Sequence, residues 1–388
     1  MISEYLGIVL AGILLIGTAA ADARTWTNAL GRTFDAEFVR LEGNGGAIFA
    51  LPNGRQFSMP VAELSPADQA RLSGGGRILQ HEVIAASFGS PWPREVRLDG
   101  PVGSKVISED QAAGRYIYES PGYRFTCDSR LTDDALRNFA VMFEATRKYS
   151  RGLPISLGAA AQRGGRLDIL LFGTRQAYAR AGGPANSAGV FSNGVVLVPM
   201  ESLGLKDVGT GYSLDIRRHN MVLVHELAHQ LTPETYFAPG ARGWFSEGLA
   251  EYIAITPYTW GCFRTDVHGN VVKAYATARG TGGTGGRAIG NEIVAPKLRS
   301  FLLMPYEMFS GQNANFNYAM GLLLTHYFFH MEGGGKATRI TKFLQGLHAG
   351  QHGEAALKPL LGGSTYEKLE GEISAAWARM GVNIRFGG

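Results

Sequence analysis

Residues 222–252 constrain this chain more than any other stretch. His225-Glu226-Leu227-Ala228-His229 sets two histidines four residues apart. In a helix that spacing puts both imidazoles on one face, about one turn from each other, where a single metal ion can take both. Glu226 falls beside the pair rather than on it, where a general base belongs. A catalytic zinc takes three protein ligands and leaves a fourth position open for water, so a third ligand has to come from Asp, Glu, His or Cys downstream. Trp244 to Tyr252 reads as a second helix. It offers Glu247, separated from His229 by 17 residues, and Glu251 one turn later. One carboxylate can bind the ion while the other turns to a ligand imidazole. H-E-x-x-H alone also occurs on ordinary amphipathic helices, and it is the second acidic pair that makes a metal site the stronger reading.

Together these residues resemble the gluzincins, MA-clan zinc metallopeptidases such as thermolysin and the aminopeptidase N family. The wider pattern asks for Val or Thr three before the first histidine, uncharged neighbours, and an apolar residue two after the last. Val222, Leu223, Leu227, Ala228, Gln230 and Leu231 satisfy it. The resemblance implies one Zn2+ per chain on His225, His229 and Glu247, with Glu226 as the base that assists water in attacking a peptide carbonyl. It implies that Glu251 orients a ligand histidine, His225 first among them. Asn317-Tyr318-Ala319-Met320-Gly321 has the Tyr-x-x-Gly spacing of the aminopeptidase N family, which makes Tyr318 the oxyanion donor; a packing tyrosine at a helix start is the alternative. Aminopeptidases of that family hold the substrate amine with a Gly-x-Met-Glu-Asn segment. The corresponding Gly189-Val190-Phe191-Ser192-Asn193-Gly194 has no carboxylate, so endopeptidase action is expected. An edge strand lining the cleft should pair with extended substrate, and Val195 to Val198 is the candidate.

The order of hairpin, helix, strand, Gly-rich hairpin and H-E-x-x-H resembles an uncharacterised bacterial family of the same clan, from about Tyr116 to the C-terminus. The expected fold is therefore α+β. A zincin-like domain over 114–388, with a mixed sheet and a helical C-terminal lobe, follows a small all-β SH3-like barrel over 24–73. Arg24-Thr25-Trp26-Thr27, Gly31-Arg32, Pro60-Val61 and Leu64-Ser65-Pro66-Ala67-Asp68 carry the likeness of that first unit to the Sla homology module. Residues 74–113, rich in Gly and Pro, read as a linker with one leading strand near Glu95 to Leu98. Residues 1–23 read as a signal peptide: Leu6 to Ile16 is unbroken apolar sequence and Ala21-Asp22-Ala23 is an A-x-A cleavage signal. An uncleaved anchor is the competing reading, but 11 apolar residues are short for a span. Export to the periplasm, the cell surface or the medium follows.

A length of 388 residues favours two folded units, and 45% hydrophobic content supplies a core. The net charge of +4 is spread without a basic block, which argues against nucleic acid as a partner. In an exported chain Cys127 and Cys262 can pair or stand as two buried thiols. His326 and His330, four apart with no glutamate between, read as surface or supporting residues. Two function classes follow: an exported zinc metallopeptidase acting on peptides or proteins, or an exported binding or scaffold protein with a retained metal site. In the second, the SH3-like unit holds a peptide or cell-envelope polymer.

Overall fold

In the computed structural model the described residues are 24–28, 33–41, 46–51, 55–65, 68, 88, 92–158, 166–192, 194–209, 211–214, 220–265, 268–278 and 286–387. The expected signal peptide lies outside them. Among the described residues no helix is long and apolar enough to cross a membrane. The chain divides into two compact units, Met1–His81 and Glu82–Gly388, and is mixed α+β as its sequence patterning predicts.

In the first unit β1 (Arg24–Thr27), β2 (Thr33–Leu41), β3 (Gly46–Ala50) and β4 (Gln56–Pro60) form one antiparallel sheet in sequence order. Alternation sends Trp26, Ala36, Ala47 and Phe49 inward with Leu64. Phe49 meets Trp26 and Phe34 edge-on at centroid distances of 4.9 and 5.4 Å, a preferred aromatic geometry. Asp68 accepts from the Thr27 N–H at 2.8 Å and ties the segment after β4 to the first strand.

The second unit begins inside the stretch read as a linker. β5 (Glu95–Arg97) is the expected leading strand, and β6 (Lys105–Asp110) is a further one. Every residue of β6 is exposed, so no inward face marks it in the sequence; backbone pairing with β7 (Arg115–Glu119) recruits it. β8 (Tyr123–Cys127) follows, then α1 (Asp133–Gly152), capped by the Thr132 hydroxyl accepting from Ala135 N–H. Leu136, Phe139, Ala140 and Phe143 all point into the core, as their spacing requires.

Next come β9 (Leu167–Phe172), α2 (Arg175–Arg180), β10 (Val190–Ser192) and β11 (Val195–Pro199). The resulting six-stranded mixed sheet has the order β10-β11-β9-β8-β7-β6. The edge strand at that end of the sheet is thus β10, not Val195 to Val198. The hairpin folds β10 outside β11, whose other flank is taken by parallel pairing with β9.

β12 (Leu205–Asp207) and β13 (Tyr212–Leu214) form a short ribbon before α3 (Met221–Leu231). α4 (Trp244–Ile255) follows, then β14 (Tyr258–Thr259) and β15 (Cys262–Arg264), the latter paired with β5. The rest is mainly helical: α5 (His268–Thr277), β16 (Glu292–Ala295), α6 (Leu298–Leu302), α7 (Tyr306–Phe309) and α8 (Ala314–His326). A π turn over Tyr327–Met331 extends α8. α9 (Thr338–His348), α10 (Gly353–Leu361), α11 (Tyr366–Ala378) and β17 (Asn383–Phe386) complete it, β17 lying parallel to β16. Cys127 and Cys262 are free and buried on different sheets, so the bridge is not formed.

Every residue of α4 is buried. Its backbone touches that of α8 where Gly248 faces Gly321. A Cβ on Gly321 would stand 2.7 Å from the Trp244 carbonyl oxygen, and one on Gly248 would overlap the Gly321 carbonyl. Backbone atoms cannot swing aside as a side chain can, so the helices would have to part. Gly321→Ala is expected to lower unfolding stability by about 1–3 kcal/mol, the usual cost of overpacking. Urea unfolding checks it, and an unchanged midpoint would contradict the close approach.

Candidate metal centre

α3 starts at Asn220, whose side chain accepts from Leu223 N–H at 3.3 Å and donates to Leu203 O at 2.9 Å. From there His225 and His229 fall on one face, their rings 4.7 Å apart and nearly perpendicular. α4 brings up Glu247. The two Nε2 atoms are 3.1 Å apart, and Glu247 Oε2 is 3.2 Å from each.

This near-equilateral triangle is a test of whether a cation belongs there. Glu251 Oε1 lies 3.2 Å from His225 Nδ1, so Nδ1 can donate to Glu251 and Nε2 is the nitrogen that faces the triangle. His229 Nδ1 is buried without a hydrogen-bond partner, and its Nε2 faces the triangle. Two imidazole nitrogens and a carboxylate oxygen thus converge at 3.1–3.2 Å from one another. Ligands of a tetrahedral zinc at about 2.0–2.1 Å stand roughly 3.3 Å from one another, close to the spacing seen. Among the described residues, His225, His229 and Glu247 form the one group of three that could hold a metal ion.

The surroundings support these three. Glu247 and Glu251 are each 3% exposed, and a buried carboxylate is costly unless paired. Glu247 Oε1 accepts from the Tyr306 hydroxyl at 2.9 Å. Glu251 is clamped by Arg287 through Nη2–Oε1 at 2.6 Å and Nε–Oε2 at 3.1 Å. Burial works to raise both carboxyls, but the histidines overcome it at Glu247, and His225 with Arg287 overcomes it at Glu251. Both end well below the usual carboxylate range, Glu251 at about 2. Burial likewise opposes protonation of His225, but its bonds to Glu247 and Glu251 prevail and carry it to about 10.

Glu226 projects away from the triangle toward β10. Burial raises its carboxyl, against the nearby histidines, and it accepts from the Phe191 N–H. Gly189 makes room for it: a Cβ there would meet Glu226 Cγ at 2.9 Å. Tyr318 stands with its ring centroid 6.4 Å from that of His225. It shares a hydrogen bond with Tyr306, and burial pushes its hydroxyl well above the normal range. The Arg287 guanidinium covers the Tyr318 ring at 4.9 Å.

All six residues singled out from sequence thus gather in one place. Tyr306 and Arg287 join them unforeseen. Arg287 lies in a glycine-dense run, 279–290, that has no period to read, and Tyr306 sits on a four-residue helix too short to show one.

His326 and His330 are not surface residues. His326 is 4% exposed and packs with His268 and His330 at centroid distances of 5.7 and 4.9 Å. His330 Nε2 meets the Tyr252 hydroxyl at 2.7 Å, and His268 Nε2 donates to the Tyr252 carbonyl at 3.1 Å. Tyr252, the neighbour of Glu251 on α4, thereby rests on imidazoles whose burial disfavours protonation.

Comparison of the chain with family models, with characterised proteins and with solved structures gives no match.

Two predictions follow from this geometry. Removing the bonds that aim the ligands, by Tyr306→Phe or Glu251→Gln, should weaken metal affinity roughly 10 to 100-fold in competition with a chromogenic chelator; unchanged affinity would deny them that role. Burial lowers His268 to about 3 and His330 to about 4, against about 6.5 in the unfolded chain. The unfolded state therefore binds these protons first as pH falls. Stability is whole above about 6.5 and drains toward pH 4, by up to about 1.4 kcal/mol per pH unit for each histidine. Urea midpoints at pH 7.5, 6 and 5 should fall in order and fall less in His330→Gln. A flat series would contradict the neutral cluster.

Proposed function

We propose that the chain is an exported zinc-dependent metallopeptidase of the gluzincin kind, acting as an endopeptidase on peptides or proteins. The observation that carries this reading is the triangle of His225, His229 and Glu247 ligand atoms with Glu226 beside it. Zinc bound there would supply Lewis acidity and a nucleophile at neutral pH. The mixed sheet, the two-helix site and the helical region after it are consistent with a zincin-like domain.

The remaining chemistry belongs to side chains of the chain itself. A carboxylate that accepts a proton from water and passes it to a leaving amine works best with its pKa raised toward neutrality, and burial moves Glu226 that way. The Phe191 N–H keeps it aimed from β10. The Tyr318 hydroxyl, kept protonated, can turn from Tyr306 to donate to a developing oxyanion. β10 is the outer strand of the sheet, so its free edge can take an extended peptide. Val190, Phe191 and Ser192 bring no carboxylate to that edge, and Glu292 accepts from Asn383 at 2.5 Å on the β16–β17 pair. A substrate amine buried there without a counter-charge would cost several kcal/mol, which favours internal cleavage. The first unit, with its aromatic-cored antiparallel sheet, is proposed as an SH3-like module for a peptide or cell-envelope ligand.

Protein purified with zinc should carry about one ion per chain and cut N-acetylated peptides internally. Glu226→Gln should keep the ion and lose at least about 100-fold in rate, within the usual contribution of a positioned base. Wild-type protein that takes up zinc yet cleaves nothing in a peptide library would overturn the reading, as would a fully active Glu226→Gln.

A further inference from the structure

We propose that Arg242 recognises a carboxylate on the substrate, within two residues of the bond cut, and so directs the site toward acidic peptides; the inference rests on the peptidase reading above. Arg242 is exposed at the end of the loop between α3 and α4, and its position is fixed on three sides. Its N–H bonds the Ala238 carbonyl at 2.9 Å. The next residue, Gly243, has φ 94° and ψ −92°, a backbone open to glycine and closed to side chains; a Cβ there would also press on the Phe309 ring at 3.0 Å. That turn starts α4 and leaves Arg242 outside it. The guanidinium then lies over the Tyr306 ring, 4.6 Å from its centroid, a stacking that orders an arginine while leaving its N–H groups free at the rim.

Tyr306 links this cation to the centre, because its hydroxyl donates to Glu247 at 2.9 Å. Across that ring the guanidinium stays within roughly 10 Å of Glu247, the reach of about three extended residues. Among the described residues Arg242 makes no ion pair, and Glu307, beside Tyr306 in sequence, does not reach it. The charge balance inside gives it nothing to neutralise. Glu226, Glu247 and Glu251 would be matched in charge by Arg287 together with a divalent ion held at the triangle. An exposed, ordered guanidinium stacked on Tyr306 beside the centre is suited to a planar carboxylate, which it can bind through two N–H groups. An Asp or Glu side chain and the C-terminal carboxylate of a short peptide present the same group.

The test measures binding to the zinc-loaded full chain carrying Glu226→Gln, so that peptides are not consumed. Three acetylated peptides identical but for one position are titrated. One has Glu and an amidated C-terminus, one has Gln and the same amide, and one has Gln with a free C-terminal carboxylate. At least one carboxylate peptide should bind about tenfold tighter than the uncharged one, and which does so identifies the source. Adding Arg242→Gln should bring the three within about twofold, and Arg242→Lys should restore part of the preference. Equal binding of all three with Arg242 present, or a preference that survives Arg242→Gln, overturns the proposal. Cleavage by the wild-type chain separates the two readings. If it cuts acidic and uncharged peptides alike, it stays a peptidase and Arg242 loses its role. A chain that binds the acidic peptide through Arg242 but cuts none keeps the carboxylate site and loses the peptidase reading.

Discussion

The backbone contact between Gly248 on α4 and Gly321 on α8 sets the geometry on which the centre depends. With no side chain on either residue, the two helices approach until each is bounded by the other's carbonyls. Tyr318 lies one turn before Gly321, so the same contact that seats α8 delivers the tyrosine to His225. It also walls in α4 completely. Glu247 and Glu251 are then cut off from water and hold their charge through specific partners: two imidazoles and a tyrosine hydroxyl for the first, His225 and Arg287 for the second. An ordinary aliphatic side chain at either glycine would loosen the packing and the electrostatics together.

The parts of the centre written in helical spacing were legible in the sequence. His225 and His229 are four apart, as are Glu247 and Glu251, and a helix converts that interval into a shared face wherever it occurs. The capped α1 was legible for the same reason. What escaped depends on contacts between distant segments. Arg287 reaches Glu251 across 36 residues, from a stretch whose glycines give no period. That β10 rather than β11 is outermost is decided by β9, which claims the other flank of β11. The histidines at 326 and 330 announce a common helix face, but only the positions of Trp92, His268 and Tyr252 reveal that this face is buried. β6 shows the limit from the other side, since a strand exposed along its whole length leaves no alternation to read.

Glu226 shows why neighbouring residues on one helix can serve different ends. Moving one residue along α3 from His225 rotates the side chain by about 100°, out of the ligand triangle and against β10. There it meets a backbone N–H and the gap left by Gly189. Its neighbour His225 faces two carboxylates, while Glu226 is pressed toward neutrality by burial.

The parallel pairing of β17 with β16 has a consequence for the order in which the molecule can be completed during synthesis. β16 begins five residues after Arg287 and is bonded by a strand that leaves the ribosome long afterwards; Glu292 and Asn383 are 91 residues apart. A nascent chain ending before residue 383 already has α3, α4 and the three converging ligands. It lacks the strand that fastens the segment carrying the Glu251 clamp. The residues of the triangle are therefore made well before the strand that pairs with β16, so the segment carrying Arg287 gains that fastening only after α3 and α4 are complete in sequence.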